Sequence, residues 1–239
     1  EDGLKTVFFE ALDATIGDYE RIATIVPSER DEENYPWLGA VPSVRDTLET
    51  LKRVGSGTFV SHGKPVDLMH AQEPFAIILG CSDSRVPSEI VFDQGLGDLF
   101  VIRVAGNIVA PSQVGSVEFA AERFNTRLVV VMGHSECGAI TATLEELLRP
   151  TENQSRNLRS IVDRVRPSVE GLLKAGMRPD DGELVERAVR ANIVASVDHL
   201  RHGSEVLEQL IRENGLLVVG AEYSLATGEV DFFEEPGKP

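Results

Sequence analysis

Short apolar runs alternate with longer amphipathic stretches from residue 75 onward, and this alternation narrows the folds that the chain can adopt. The runs carry few charges, which is typical of strands that are covered on both faces. The stretches between them carry apolar residues at helical spacing. We therefore predict an α/β domain with a mostly parallel central β-sheet flanked by helices. The predicted strands are "FAIILG" (75–80), "DLFVIRVAG" (98–106), "RLVVVMGH" (127–134) and "GLLVVGAEYS" (215–224).

The segments around these runs complete the predicted organisation. The stretch 112–125 predicts a helix that starts at Ser112, a residue type suited to N-capping. The segment "EVDFF" (229–233) predicts an antiparallel edge strand. Residues 1–40 predict a helical N-terminal extension or arm, so a single α/β domain is expected over 41–239. Further helices are expected at 43–55, 137–148, 157–175, 181–202 and 205–214, with irregular chain at 56–74.

Charge and composition exclude several classes of function. The formal net charge of −16 argues against nucleic acid as a partner, because phosphate binding needs clustered Lys and Arg. No apolar run approaches the roughly 20 residues that a membrane-spanning helix needs. We therefore expect a cytoplasmic protein with neither a membrane nor a nucleic-acid partner. The absent initiator Met leaves open a targeting segment that has been removed.

The two cysteines of the chain each follow a predicted strand. In "LGCSDSRVPSE", Cys81 stands beside Asp83 and Arg85, and "VVVMGHSECGAI" carries His134 and Cys137. Ligands of parallel sheets bind outside the carboxyl ends of the strands, so these side chains converge if the two strands are neighbours. Two thiolates and one imidazole form a set that zinc favours, and the carboxylate is a candidate fourth ligand.

The residues alone leave other interpretations open. Cys81 and Cys137 can be inert core thiols, or they can form a reversible disulfide in a redox protein. A structural zinc usually recruits four side chains, and the chain has no spare cysteine. An open, catalytic zinc suits the pattern better, because Arg85 can hold Asp83 off the metal by two parallel hydrogen bonds. The vacated position takes a water molecule whose pKa zinc lowers toward about 7.

With both motifs in place, the chain resembles a β-class carbonic anhydrase. The resemblance is strong over 42–148 and looser toward residue 235, and it does not cover the first 40 residues. The motifs that carry it, in the family's order and approximate spacing, are "CSDSRVPSE" (81–89), "GDLFVIRVAGN" (97–107), "GSVEFAAERF" (115–124) and "GHSECGAI" (133–140).

The resemblance implies a metal site and an activity. It implies that Cys81, His134 and Cys137 bind one Zn2+ per chain. It also implies that Asp83 and Arg85 form a pair in which the carboxylate either ligates the metal or is held by the arginine. The implied reaction is the reversible hydration of CO2 to bicarbonate and a proton by a zinc-bound hydroxide.

A pocket for the small, uncharged CO2 molecule is implied in the same way. Gln72 matches a glutamine that hydrogen-bonds substrate, Phe100 matches a pocket aromatic, and Ala105 matches a small apolar position. Phe119 falls where many members have tyrosine, so the role of that hydroxyl is absent here. Phe100 and Phe119 can equally be plain core residues. The backbone N–H of Gly138, at a helix start, favours a bicarbonate oxygen.

Some family members hold a second, non-catalytic bicarbonate, and we expect that site to be missing or weak in this chain. Ile78 stands where those members have tryptophan. Arg103 occupies the place of the arginine, and Tyr223 is a candidate for the tyrosine. Without the tryptophan, Arg103 is expected to serve ordinary structural pairing.

The resemblance also implies an oligomer, either a homodimer or a dimer of dimers, with the active site at the subunit interface. The predicted helix at 4–23 fits either an arm around the partner or a helix packed on its own subunit. Two alternative functions remain at this point: a hydrolase of carbonyl sulfide or carbon disulfide, and a non-catalytic zinc-binding assembly protein. An inactive relative is expected to lose Asp83 or Arg85, and both are present.

Overall fold

The computed structural model describes residues 72–150, 155–177 and 182–233. The predicted N-terminal arm (1–40), the predicted helix at 43–55 and all but the last residues of the irregular stretch at 56–74 lie outside the described residues. The division of the chain into an arm and a single domain therefore stays a prediction.

Five strands form one sheet in the described part of the chain. Their spatial order is β2-β1-β3-β4-β5. The first four strands run parallel to one another, and β5 pairs antiparallel with β4. This arrangement confirms the predicted mostly parallel sheet with an antiparallel edge strand. The strands are β1 (Ala76–Gly80), β2 (Leu99–Arg103), β3 (Leu128–His134), β4 (Leu217–Tyr223) and β5 (Val230–Phe233).

Helices connect the strands, and the five predicted for this part of the chain agree with the structure within two residues at each end. At the start of the last one, the Ser204 hydroxyl accepts the N–H of Leu207 at 3.2 Å. Gly215, with φ of 70°, ends the same helix in the left-handed conformation that favours glycine. The helices are α1 (Ser88–Val91), α2 (Pro111–Arg123), α3 (Gly138–Leu148), α4 (Arg156–Lys174), α5 (Gly182–His202) and α6 (Glu205–Asn214).

The two central strands explain why the apolar runs are continuous rather than alternating. Every residue of β1 and β3 is buried. Successive side chains of a strand point to opposite faces, so Ile77 and Leu79 enter the larger core while Ile78 enters the smaller one. Both faces are thus apolar. Cys81 follows Ile77 and Leu79 at the same two-residue spacing. It lies on their side of the sheet, in the larger core together with Cys137.

Two local features differ from the sequence-based expectation. Helix α2 begins at Pro111 and not at Ser112, because proline has the φ of a first helical residue and that position needs no N–H donor. The end of the second predicted strand instead forms a short 3-10 turn, Ala105–Asn107, hereafter the 105–107 turn. Gly106 and Asn107 have φ values of 70° and 42°, which cannot continue a strand.

Among the described helices, none combines the length and the apolar character that crossing a membrane requires.

Candidate metal centre

The carboxyl ends of β1 and β3 meet at one edge of the sheet, because the two strands are parallel neighbours. Cys81 is the first residue after β1, and His134 is the last residue of β3. The chain then turns through Glu136, whose φ is 55°, and Cys137 immediately precedes α3. Strand pairing thus brings together side chains that are more than 50 residues apart in the sequence.

Cys81, His134 and Cys137 form a compact cluster of atoms of the kind that bind metals. Their sulfur and nitrogen atoms all lie within 4.8 Å of one another, and all three residues are buried. The two sulfurs are 4.0 Å apart, and both cysteines are free thiols. Two thiolates bound to a tetrahedral zinc at about 2.3 Å are separated by roughly 3.8 Å. The sulfur pair therefore has close to the separation that such a metal needs.

His134 presents one ring nitrogen to this cluster. Nδ1 lies 2.8 Å from the carbonyl oxygen of Ser135, which can only accept, so Nδ1 carries the proton. The lone pair is then on Nε2, which is buried and has no hydrogen-bond partner among the described residues. A buried polar atom without a partner is unfavourable unless a ligand satisfies it. The orphaned nitrogen beside two thiols fits a metal ion that prefers nitrogen and sulfur.

The two thiols differ in how readily they ionise. The hydrogen bond from Cys137 lowers the pKa of Cys81 well below its ordinary value, and the Gly106 N–H adds to the effect. The same contact with Cys81 raises the pKa of Cys137, and burial raises it further. The thiolate of Cys81 thus forms easily. Cys137 loses its proton readily only if a positive charge takes the place of that proton. A divalent cation bound between the two sulfurs would supply that charge.

Asp83 and Arg85 form a bidentate ion pair beside the cluster. The arginine Nε and Nη2 donate to the two carboxylate oxygens at 2.9 and 2.7 Å, and the backbone N–H of Arg85 adds a third bond at 3.0 Å. These bonds hold the pKa of Asp83 far below its usual range, so the carboxylate is ionised. Its Oδ2 lies 3.8 Å from Nε2 of His134, which places the negative charge next to the ligand atoms.

Two further residues hold the loop that carries Cys81. The sequence indicated structural pairing for Arg103 but not its partners, and it indicated no such role for Gly106. Arg103 donates to the carbonyl oxygens of Cys81 at 2.9 Å and of Asp83 at 2.5 Å. The N–H of Gly106 donates to the sulfur of Cys81 at 3.3 Å. The glycine in "RVAGN" indicates a turn after a strand, but the sulfur that it faces follows only from the pairing of β1 with β2. The weak second bicarbonate site stays a prediction.

The residues predicted to bind substrate fall into two groups. Ala105 and Gly138 lie beside the cluster, at the start of the 105–107 turn and of α3 respectively. Gln72 precedes β1 whereas Cys81 follows it. A five-residue strand spans about 16 Å, so the glutamine lies toward the opposite end of the strands from the cluster of Cys81, His134 and Cys137.

Phe100 and Phe119 belong to an aromatic cluster that lies away from Cys81. Phe100 pairs with Ile77, three positions before the end of the β1–β2 ladder. Its ring centroid is 6.3 Å from that of Phe119 and 6.0 Å from that of Phe124. Phe119 is 53% exposed, although it packs in this cluster. One chain does not bring Gln72, Phe100 and Phe119 together with the metal ligands, and their substrate-binding roles stay predictions.

Two thiols and one imidazole lie at the carboxyl ends of parallel strands, beside an ionised carboxylate. Such a cluster could bind a metal and leave one position open, as in an α/β metalloenzyme and unlike a closed structural zinc knuckle with four ligands. Comparison with known proteins gives the same class. The family model described as carbonic anhydrase matches residues 76–230. A second model, described as Mu-like prophage major head subunit gpT, matches residues 1–52, which lie outside the described residues and make up well under half of the chain.

Individual relatives agree with the first family model. A carbonic anhydrase of Mycolicibacterium smegmatis is 41% identical over 165 residues, which is 69% of this chain and 77% of the relative. Carbonic anhydrase 2 of Mycobacterium tuberculosis is 39% identical over 161 residues, 67% of this chain and 75% of the relative. Among solved structures, one described as a tetrameric β-carbonic anhydrase of Sordaria macrospora has a TM-score of 0.63 at 24% identity, covering 71% of this chain and 85% of that one. A β-carbonic anhydrase of Aspergillus fumigatus has a TM-score of 0.64 at 22% identity, covering 96% and 93%.

The chain belongs to the carbonic anhydrase family, and its fold is that of the β class. Enzymes of this family hydrate CO2 reversibly. The resemblance seen in the motifs is thereby confirmed, together with the α/β fold and the carbonate dehydratase activity predicted from it. The alternative activities are not favoured by these relatives.

Proposed function

We propose that this chain hydrates CO2 with one zinc ion held by Cys81, His134 and Cys137. The observation that carries the proposal is the cluster of three ligand atoms within 4.8 Å, with the Asp83–Arg85 pair at its side. Two sulfurs and one imidazole nitrogen form a set typical of zinc rather than of calcium or magnesium, which take oxygen ligands. Bound there, the metal supplies the Lewis acidity that makes water nucleophilic near neutral pH.

The residues around the metal divide the remaining work. His134 and the two cysteines fix the metal at the sheet edge, and the Ser135 carbonyl fixes the tautomer of the imidazole. Asp83 remains ionised and is engaged by Arg85, which favours its acting as a hydrogen-bond acceptor rather than as a fourth ligand. An ionised carboxylate can only accept, so it orients the attacking water with an O–H toward Asp83 and a lone pair toward the substrate.

The substrate pocket is proposed to be completed by a second copy of the chain. Gln72, Phe100 and Phe119 lie away from the metal ligands of their own chain, so a homodimer is the simplest way for such residues to approach a metal centre. An exposed aromatic side chain and an edge strand support this arrangement, because β2 has a free edge in the described sheet. Ala105 and Gly138 would complete the pocket from the chain that binds the metal.

Other sequence-based expectations remain proposals. A dimer of dimers is compatible with the relative described as tetrameric. For this chain we propose the homodimer. The cytoplasmic location, the absence of nucleic-acid partners and the role of residues 1–40 stay predictions.

The proposed function is tested by stopped-flow CO2 hydration on protein of known metal content at neutral pH. We expect one zinc per chain and an activity that disappears when a chelator removes the zinc and returns when zinc is added back. Bound zinc without hydration of CO2 would contradict the proposed reaction. Activity that persists in metal-free protein would contradict the proposed metal centre.

A further inference from the structure

Helix α5 contributes none of the three metal-ligand residues, yet it directs two buried polar side chains toward the centre. Asn192 and Ser196 are four residues apart, so they lie on the same face of the helix. Both are more than nine-tenths buried, with exposures of 2% and 5%. Polar side chains at such depth are retained where their hydrogen bonds matter, because burial without a partner is costly.

Both side chains bind the backbone of the 105–107 turn. The side-chain amide of Asn192 donates to the carbonyl oxygen of Gly106 at 2.7 Å, and the hydroxyl of Ser196 donates to that of Asn107 at 3.1 Å. These contacts join segments that are 86 and 89 residues apart in the sequence. The turn is thus held from outside by a helix and not only by its own neighbours.

The turn needs such support because its backbone is unusual. Gly106 and Asn107 both have positive φ, and for asparagine this conformation carries a steric cost. A Cβ added at Gly106 would lie 3.2 Å from the Cβ of Ala139, so the turn is also pressed closely against α3. Bonds to two successive carbonyl oxygens fix the orientation of the peptide groups on either side of Asn107.

The orientation of this turn determines what the sulfur of Cys81 meets. The N–H of Gly106 points to that sulfur at 3.3 Å, while the carbonyl oxygen of the same residue accepts the bond from Asn192. A hydrogen bond to a ligating thiolate withdraws some electron density from the sulfur, and it also fixes the direction in which the sulfur faces the metal. Outer contacts of this kind commonly change metal affinity by about 10-fold or more when they are removed.

We infer that Asn192 is a positioning residue of the metal centre, which holds the 105–107 turn by the Gly106 carbonyl and thereby keeps the Gly106 N–H on the sulfur of Cys81. Ser196 supports the same turn one residue further on. The inference rests on the proposed metal centre for its functional meaning. The positioning itself is a property of the protein without metal.

The test compares three single variants in the full chain. Asn192→Leu keeps a side chain of similar size without a donor, and Ser196→Ala removes the second bond with less disturbance. Val197→Ala is the matched control, since Val197 is buried on the same helix but has no polar atom to bind the turn. Chemical denaturation of each variant measures the general loss of stability.

The first readout is hydrogen exchange of the Gly106 amide in metal-free protein, relative to the amides of β3. We expect exchange on the order of tenfold faster in Asn192→Leu and a smaller increase in Ser196→Ala, because the buried hydrogen bond that holds the turn is lost. Val197→Ala is expected to leave the ratio of the Gly106 exchange rate to that of the β3 amides unchanged. An unchanged ratio in both polar variants would overturn the inference, and it would do so whether or not the protein binds metal.

The second readout is spectroscopic. In cobalt-substituted protein, loss of the N–H contact makes the Cys81 thiolate a stronger electron donor, so the thiolate-to-cobalt charge-transfer band moves to longer wavelength in Asn192→Leu. Zinc affinity, measured by competition with a chelator, is expected to fall about 10-fold, because the sulfur of Cys81 is no longer held in the position for binding and this loss outweighs the stronger donation. If Asn192→Leu loses as much stability as Val197→Ala but keeps the charge-transfer band and the zinc affinity of the wild type, Asn192 has only a packing role. Failure of the wild type to bind cobalt or zinc would contradict the proposed metal centre alone.

Discussion

At the scale of single residues, the hydrogen bonds of Asp83 decide whether its carboxylate would ligate the proposed metal or leave that position to water. A carboxylate next to a metal can ligate it, and three hydrogen bonds from Arg85 compete with that outcome. One of these comes from the backbone N–H and does not depend on the arginine rotamer. The guanidinium also approaches the carbonyl oxygen of Glu136 at 3.4 Å, which links the loop after β1 to the loop after β3.

Replacing Asp83 by asparagine tests the proposed orienting role. Asp83→Asn keeps the shape of the side chain but replaces one carboxylate oxygen with an NH2 donor and removes the charge. The remaining oxygen is expected to face the Arg85 donors, so the attacking water loses the anionic acceptor that orients it. We expect kcat/KM for CO2 hydration to fall roughly 100-fold or more, with zinc content unchanged. Asp163→Asn is the control, because Asp163 is an exposed carboxylate on α4 that pairs with Arg166. Wild-type kcat/KM in Asp83→Asn would contradict the role.

The sequence predicted well that Cys81, His134 and Cys137 lie together, and it predicted poorly the contacts that support them. The reason is physical. Cys81, His134 and Cys137 follow strands, and parallel strands bring their carboxyl ends to one edge, so proximity follows from the order of elements alone. The bond between Asn192 and Gly106 depends on the rotation of a helix about its axis and on a turn with positive φ. Local patterns indicate a glycine turn and the apolar face of a helix, but they do not state which carbonyl oxygen a polar side chain of that helix reaches.

At the scale of secondary structure elements, the close approach of α5 to β3 depends on a glycine. Gly133 immediately precedes His134, and a Cβ added there would lie 2.6 Å from Cδ1 and 2.7 Å from Cγ1 of Ile193. Ile193 is fully buried, so relief of this clash requires its side chain to shift within a packed core. The absence of a side chain at one position therefore determines how near the helix with Asn192 lies to the strand with His134.

Gly133→Ala is expected to lower the free energy of unfolding by about 1–3 kcal/mol through overpacking, measured by chemical denaturation. Gly115→Ala is the matched control. It lies within α2 with no atom within 4 Å of an added Cβ, so it is expected to stabilise by roughly 0.5–1 kcal/mol.

A second substitution identifies the cause of this destabilisation. Ile193→Ala removes both clashing atoms, so the double variant Gly133→Ala/Ile193→Ala is expected to be more stable than the sum of the two single changes predicts. Simple additivity of the two free-energy changes would show that the loss in Gly133→Ala arises elsewhere.

At the scale of the whole molecule, the proposed homodimer is the feature that one chain cannot reveal by itself. A symmetric interface pairs a surface with its own copy, so no pattern along the sequence states which surface is used. The exposed Phe119 beside the edge strand β2 is the best structural indication in the described residues. The proximity of Cys81, His134 and Cys137 could be predicted from topology, whereas a pocket shared between two chains could only be implied by resemblance.

Phe119→Glu tests the shared pocket. A charge placed in an apolar interface is costly, so we expect the variant to sediment as a monomer and to lose most of its CO2 hydration while each chain keeps its zinc. Leu158→Glu is the control, because Leu158 is equally exposed but lies on α4. A monomeric variant with full activity would show that the pocket lies within one chain.

The pairing of β1 with β3 also determines which folded chains could hold a metal ion. Gly80 lies opposite Met132, and this alignment places Cys81 and His134 at one end of the ladder. Sliding β1 by one residue would turn Cys81 to the opposite face of the sheet and take it out of the site. If the three side chains bind a metal as proposed, only chains whose central strands have found this alignment would therefore retain the ion.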